Sequence, residues 1–476
     1  MKYYFHNIIM LFLLSGLTAC AVGPDFKRPV APADQRYSAE TNLAKFGNQR
    51  INTQQAVSTV WWQALHSNSL NDVIDTGVSN SYTLTAARET LAQAREIALA
   101  AKGQLWPQLS LDAIAGRQKY GIALFGPTNF VIPPFTYYEL GPSLTYVLDV
   151  FGGTRRTIEK QEALATYEAF ELDAAYLALT GNITSTALTI ATINDEIATT
   201  HAIIKEDQKN LELVRQSFNL GSGTEVDVLS AKSQLNNDET LLPTLSQQLT
   251  VAQDTLNVLV GKTPANWQPP VFTLNGFGLP TTLPLSLPSE LVHSRPDIMA
   301  AEAMLHSASA SVGIATANLY PSISITAASL QEALVPSNLF KASANAWSYA
   351  GSLTAPIFEG GTLRAQKRAA EHAYQLAYAN YQQVIIKAFV QVNEVLHALK
   401  NDADELRAQQ NAVATAIQSL KLARLSYNAG NVGILQVLDA ERLYTQARLG
   451  LDRTKGQRYQ DTVQLYLVLG GGLLSG

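Results

Sequence analysis

From Tyr176 an apolar residue falls at every seventh position: Tyr176, Ile183, Ile190, Ile197, Ile204, Leu211, Phe218. The series returns 209 residues later as Ile385, Val392, Leu399, Leu406, Val413, Leu420, Tyr427. A heptad sustained that far requires long helices that bury one stripe, and its duplication commits the chain to an architecture built by repetition. Each ladder runs into a glycine turn, Gly221 and Gly430, followed by matching Val228-Leu229 and Val437-Leu438.

With 476 residues and a repeat of about 210, two intertwined halves describe the chain better than a string of separate domains. The net charge of −5 gives no basic footprint for nucleic acid. Charged residues make up only 15%, which suits long helices with uncharged polar faces rather than a salt-bridged coiled coil. The single cysteine, Cys20, rules out an intrachain disulfide and a cysteine-rich zinc site. Before it, Lys2 and the apolar run Ile8 to Leu14 form an export signal too short to span a bilayer, which takes about 20 apolar residues. Leu17-Thr18-Ala19-Cys20 resembles the bacterial lipobox, which implies cleavage before Cys20 and its conversion to an N-palmitoyl, S-diacylglycerol cysteine. Alanine at position 21 fits sorting of such lipoproteins to the outer membrane.

The expected organisation is a signal peptide over 1–19, an anchored extended segment over 20–69, and a first repeat over 70–260. A proline-rich linker over 261–296 and a second repeat over 297–476 complete it. The first repeat reads as a helix from about Leu70 to Leu105, strands near Leu109–Gly116 and Tyr138–Leu148, a helix from about Arg155 to Leu220, and a return helix to Val260. Pro243 should kink or break that return helix. The linker holds seven of the nineteen prolines. The second repeat gives a helix over Asp297–Leu319, strands over Ser322–Ala328 and Ser348–Phe358, and a helix across Leu363–Ala429, 67 residues without Gly or Pro. As one helix it would reach roughly 100 Å.

Alternating strands of 8 to 12 residues fit a transmembrane β-barrel, but four per chain cannot close one, because lipid tolerates no open sheet edge. Oligomerisation is therefore required if these strands enter a membrane. The competing reading is a small soluble sheet packed on the helices. Phe389, Leu396, Ala403 and Ile417 widen the apolar stripe of the second ladder, which suits helices packed side by side around a water-filled interior.

Leu287-Pro288-Ser289-Glu290-Leu291, continuing through Arg295-Pro296-Asp297-Ile298 to Ala301-Glu302, resembles the junction signature of the TolC-like outer-membrane efflux proteins, lipoprotein (NodT or OprM-type) branch. Val22-Gly23-Pro24-Asp25-Phe26-Lys27-Arg28-Pro29 and Trp61-Trp62 resemble two further motifs of that family. The resemblance implies an α+β membrane protein. Its homotrimer would form a twelve-stranded outer-membrane β-barrel, four strands per chain, continued by a twelve-helix periplasmic α-barrel. It further implies a periplasmic adaptor and an inner-membrane pump of the resistance-nodulation-division type as partners, with small molecules such as drugs as cargo. By the same resemblance Leu435, Asp439, Arg442, Asp227 and Tyr427 fall at the periplasmic tip that closes the resting pore. Gln436 and Val432 depart from residues found there in some relatives.

No HxxxH spacing, phosphate-cradling loop or nucleophile elbow is present, so the sequence supplies no enzyme, cofactor or metal motif. Two alternatives stay open: a type I secretion exit duct for polypeptides, and an envelope lipoprotein whose coiled coil forms no pore.

Overall fold

The computed structural model describes residues 21–33, 36–37, 45–53, 57–121 and 133–471; Cys20 and the signal segment lie outside the described residues. The chain divides into two compact units, and each takes segments from both sequence repeats. One comprises Met1–Pro29, Leu91–Glu168 and Ala301–Tyr381; the other comprises Val30–Thr90, Ala169–Ala300 and Gln382–Gly476. The boundaries thus cut across the duplication rather than along it.

The first unit is organised around one antiparallel sheet. Its strands are β3 (Gln108–Gln118), β4 (Phe135–Leu148), β6 (Ser322–Ala333) and β7 (Asn345–Thr354), hydrogen-bonded in the order β3-β4-β6-β7. Residues paired directly across antiparallel strands share a face, so the register sorts the side chains. Leu109 lies opposite Leu144, Leu144 opposite Ala327, and Ala327 opposite Tyr349, while the neighbouring row joins Tyr146, Ile325 and Gly351. That face carries leucine, isoleucine, tyrosine and tryptophan. The other face carries Ser110, Asp112, Glu139, Ser143, Thr145, Ser324, Thr326 and Glu332, with Ile114, Val147 and Leu330 as aliphatic exceptions and Phe135 and Tyr137 as aromatic ones at one end. Ser143 donates to Asp112 Oδ2 at 2.6 Å on this polar side. Leu111 is 72% exposed and Tyr349 76%, so among the described residues nothing covers these parts of the apolar face, and neither β3 nor β7 has an outer partner.

All four strands fall where alternation predicts them, with different ends. β4 starts at Phe135 and β6 runs to Ala333, past the point where Gln331 and Glu332 obscure the pattern; β7 ends at Thr354, before Pro356. In the same unit Val22 N–H donates to the Phe151 carbonyl at 3.1 Å, and buried Arg156 grips the Val22 and Gly23 carbonyls and the Asp25 carboxylate. Phe26 stacks on His306 with ring centroids 4.3 Å apart. The segment after Cys20 is therefore seated by a guanidinium and a ring stack, where the sequence suggests only an extended chain.

The second unit is mainly helical, and four of the helices have residues in both units. The first helical stretch is two helices, α1 (Asn68–Asn80) and α2 (Tyr82–Gly103), divided at Ser81. Helix α3 (Gly153–Asn219) continues through Gly181 without interruption. A Cβ at that glycine would sit 2.7 Å from Leu467 Cδ2, so close helix contact accounts for the residue. The return limb is α4 (Glu225–Glu239) and α5 (Leu241–Leu259), broken at Thr240 rather than at Pro243. Pro243 lies in the first turn of α5, and its ring excludes a helical carbonyl four residues back, at Glu239, the last residue of α4. After short α6 (Pro288–Leu291) come α7 (Pro296–Ala317), α8 (Thr362–Asn428) and α9 (Ile434–Val468).

Trp61 and Trp62, in a short 3-10 turn, are buried in the core with Ile183, Leu188, Ile190 and Leu256, and Trp61 stacks on Tyr466 at 5.6 Å. The junction motif has a structural task. Buried Arg295 donates to the Val468 carbonyl at 2.9 Å and to Gln391 Oε1 at 2.8 Å, and forms a bidentate pair with Asp297. A small sheet was not foreseen: β1 (Lys45–Phe46) and β2 (Gln49–Asn52) pair antiparallel, and β2 pairs in parallel with β5 (Thr282–Pro284) from the proline-rich linker.

Candidate functional site

The turns that end α3 and α8 share one backbone design. Gly221 and Gly430 adopt φ of 76° and 75°, the left-handed conformation that closes a helix end and that other residues enter at a cost. Ser222 N–H bonds to the Ser217 carbonyl and Asn431 N–H to the Ser426 carbonyl, each at 2.9 Å. Both turns rest on one apolar cluster. Ile204, Leu211 and Val214 of α3, Ala231 and Leu235 of α4, Leu420 of α8, and Ile434, Val437 and Leu438 of α9 all belong to it. Tyr427 is half-buried against this cluster, which makes it a packing residue in the single chain.

Beyond the shared backbone the turns differ. Asp227 sits in a capping box: its carboxylate accepts from Thr224 N–H at 2.9 Å and Oγ1 at 2.7 Å, while Asp227 N–H donates to Thr224 Oγ1 at 3.2 Å. Those bonds satisfy otherwise orphaned donors at the start of α4. At the equivalent place Gly433 begins α9 with no side-chain cap. There Leu435 is exposed, and Asp439 pairs with Arg442 at 2.8 Å. Both members are more than half exposed, 62% and 56%, so the pair is worth only a few tenths of a kcal/mol to the helix. Its charges remain exposed to solvent.

One constellation escaped the sequence reading. Arg424 Nη2 reaches Glu441 Oε1 at 2.6 Å and Glu206 Oε2 at 3.4 Å, and Asn210 also donates to Glu441. This ties α3, α8 and α9 together beside a cavity of about 740 Å³ lined by Asp207, Leu420 and Tyr444 as well. The Lys209 hydrogen bond, followed by the Lys209 and Arg424 charges, holds the Glu206 carboxyl below its ordinary value despite some burial. A signal did exist. Glu441 stands seven residues after Ile434 and three after Leu438, on the buried stripe of α9, where a charge needs a partner. Among the described residues no group of His, Cys, Asp or Glu is arranged to hold a metal ion.

The model of the family described as outer membrane efflux protein matches residues 73–262 and 287–471, one segment in each repeat. The chain is 28% identical over 460 residues to the cation efflux system protein CusC of Escherichia coli K12, covering 96% of this chain and 97% of that protein. It is 27% identical over 469 residues to the toluene efflux pump outer membrane protein TtgI of Pseudomonas putida, covering 97% of each. The pyoverdine export outer membrane protein OpmQ of Pseudomonas putida is 29% identical over 420 residues, with 87% and 88% covered. Among solved structures, that of the outer-membrane channel OprN superposes with a TM-score of 0.87 at 24% identity over 95% of this chain and 99% of that one. The open state of the Neisseria gonorrhoeae MtrE outer membrane channel gives 0.81 at 24%, over 95% and 99%. These two likenesses concern the fold.

Proposed function

Because the chain belongs to the outer membrane efflux protein family, we propose that its efflux channel forms when three copies join their four-stranded sheets into one twelve-stranded barrel. The observation that carries this reading is the sheet itself, with two edges unpaired among the described residues, one apolar face and one mainly polar face. In lipid an unpaired edge costs several kcal/mol per unsatisfied group, so closure against identical neighbours is the solution that places the apolar face outward and the polar face around water. Tyr138 toward one end of that apolar face, and Tyr146 and Tyr349 in adjacent rows toward the other, suit the two lipid–water interfaces. The long helices of three chains would continue the duct as a periplasmic tunnel, and lipidation of Cys20 would tether it to the outer membrane.

The duct is read as the exit of a tripartite assembly, fed by an inner-membrane pump of the resistance-nodulation-division type through a periplasmic adaptor. The channel role involves no catalysis. The resting closure is assigned to the tip built from Leu435, Asp439 and Arg442, with Tyr427 packing behind it. Asp227 contributes to the first tip chiefly by capping α4. Three exposed Asp439–Arg442 pairs around one axis would present a charged constriction. Relatives of similar length are named for cations, toluene and pyoverdine, so the proposed cargo is set by the pump rather than by this duct.

The test is the mass of the full-length protein in detergent, together with two substitutions in one strand. A trimer is expected. Leu111→Arg on the apolar face should cost about 2–4 kcal/mol at mid-bilayer and abolish insertion, whereas Ser110→Arg on the polar face should insert. A monomer, or equal tolerance of both substitutions, would sink the barrel.

A further inference from the structure

Each helical hairpin carries one pair of aspartates facing each other across its two limbs. In the first hairpin Asp207 of α3 meets Asp238 of α4; in the second Asp402 of α8 meets Asp461 of α9. Asp207, Asp238 and Asp402 are 4%, 7% and 7% exposed, and Asp461 is half-buried. The two sites share a further detail: Gln234 donates to Asp238 Oδ2 at 2.8 Å, and Gln457 to Asp461 Oδ2 at 3.1 Å. Asp207 Oδ2 and Asp402 Oδ2 receive no N–H or O–H from the described residues, which leaves the carboxyl opposite as the hydrogen-bonding partner. Two carboxylates cannot bond each other without a proton between them.

The duplication supplies an internal control. Ala416 and Ala447 occupy the second-repeat positions of Asp207 and Asp238, while Ile193 and Ala252 occupy the first-repeat positions of Asp402 and Asp461. At either level the fold already packs an apolar pair in one hairpin where it places two acids in the other. Packing alone therefore does not call for the acids, and burying them without compensation costs free energy.

We propose that each hairpin is latched by a proton shared between its two aspartates, so that the limbs hold together at low pH and loosen as pH rises. The charged groups that bear most on Asp207 and Asp402 come mainly from neighbouring helices. Glu441 of α9 adds to the repulsion at Asp207 while Arg424 of α8 opposes it; at Asp402, Arg458 of α9 opposes and Glu405 adds. Burial first, and the facing aspartate second, push Asp207 and Asp402 up to about 8. A raised carboxyl favours the closed hairpin fully below about pH 4, where the separated limbs are also protonated, and that advantage is lost as pH climbs toward about 8. Releasing one proton on opening makes the opening equilibrium grow by up to about tenfold per pH unit in that window, then level off. The latch is independent of where the pore closes, so its failure would leave the channel reading untouched.

Amide hydrogen exchange of the full-length protein in detergent, expressed as protection factors between pH 5 and 8, tests it. Protection over residues 225–239 should fall by up to about tenfold per pH unit in the wild type. It should stay level in an Asp207→Ala, Asp238→Ala double variant, which copies the alanines of the other hairpin. Asp207→Asn, whose amide donates to Asp238 without titrating, should also remain level, and it serves if the double variant fails to fold. Asp402→Asn should flatten the response over residues 451–463 alone. Equal pH slopes in the wild type and the variants would overturn the latch.

Discussion

The turn after α3 and the turn after α8 have the same glycine, the same left-handed φ and the same carbonyl bonds, yet they hold different chemistry. The first is finished by a capping box, Thr224 with Asp227; the second begins on uncapped Gly433 and exposes Leu435, Asp439 and Arg442. Behind the turns the contrast continues. Arg215 and Lys232 of the first repeat stand where the second has Arg424 and Glu441, so only the second can form a buried ion pair. Duplication reproduces what the backbone needs to reverse direction and leaves the side chains around the reversal to carry separate tasks. One tip is anchored by local hydrogen bonds, the other by a charge pair spanning two helices.

Arg424→Met gives the largest expected contrast. It strips the main partner from a buried carboxylate and should cost about 2–3 kcal/mol in denaturant unfolding, whereas Lys232→Ala at the position equivalent to Glu441 should change stability by less than about 0.5 kcal/mol. Gly221→Val and Gly430→Val should each cost about 1–2 kcal/mol through the left-handed backbone, with no collision from neighbouring atoms. A difference of more than about 1 kcal/mol between those two would break the backbone equivalence. Thr224→Ala should cost about 1 kcal/mol, and Gly433→Thr should gain only a few tenths, because glycine is already a tolerable cap. If Gly433→Thr stabilises as much as Thr224→Ala destabilises, the two starts are not different in kind.

The elements most legible in the sequence were those with long periods. Ladder residues such as Ile183, Ile190, Val392 and Leu399 are buried, and the alternation from Tyr138 to Leu148 belongs to a strand with an apolar and a polar face. Ile417, expected on the widened stripe, is instead 47% exposed at the rim of the cavity. The small sheet was invisible because β2 pairs with residues some 230 positions away and neither strand is long enough to alternate. The two-unit division was hidden for a related reason: sequence reading follows the chain, whereas the units collect equivalent pieces of both repeats. The tip residues came from a family resemblance, not from periodicity. Arg424 with Glu441, and the aspartate pairs, could have been noticed as charges on an apolar stripe, although their partners on other helices could not.

The central claim, a duct whose resting closure depends on the second tip and not the first, is tested most directly by single-channel conductance of the purified full-length protein in planar bilayers. The account predicts discrete channels whose conductance rises in Asp439→Ala and Arg442→Ala and stays at the wild-type value in Asp227→Ala. No channels at all, or the same conductance in all four proteins, would contradict it.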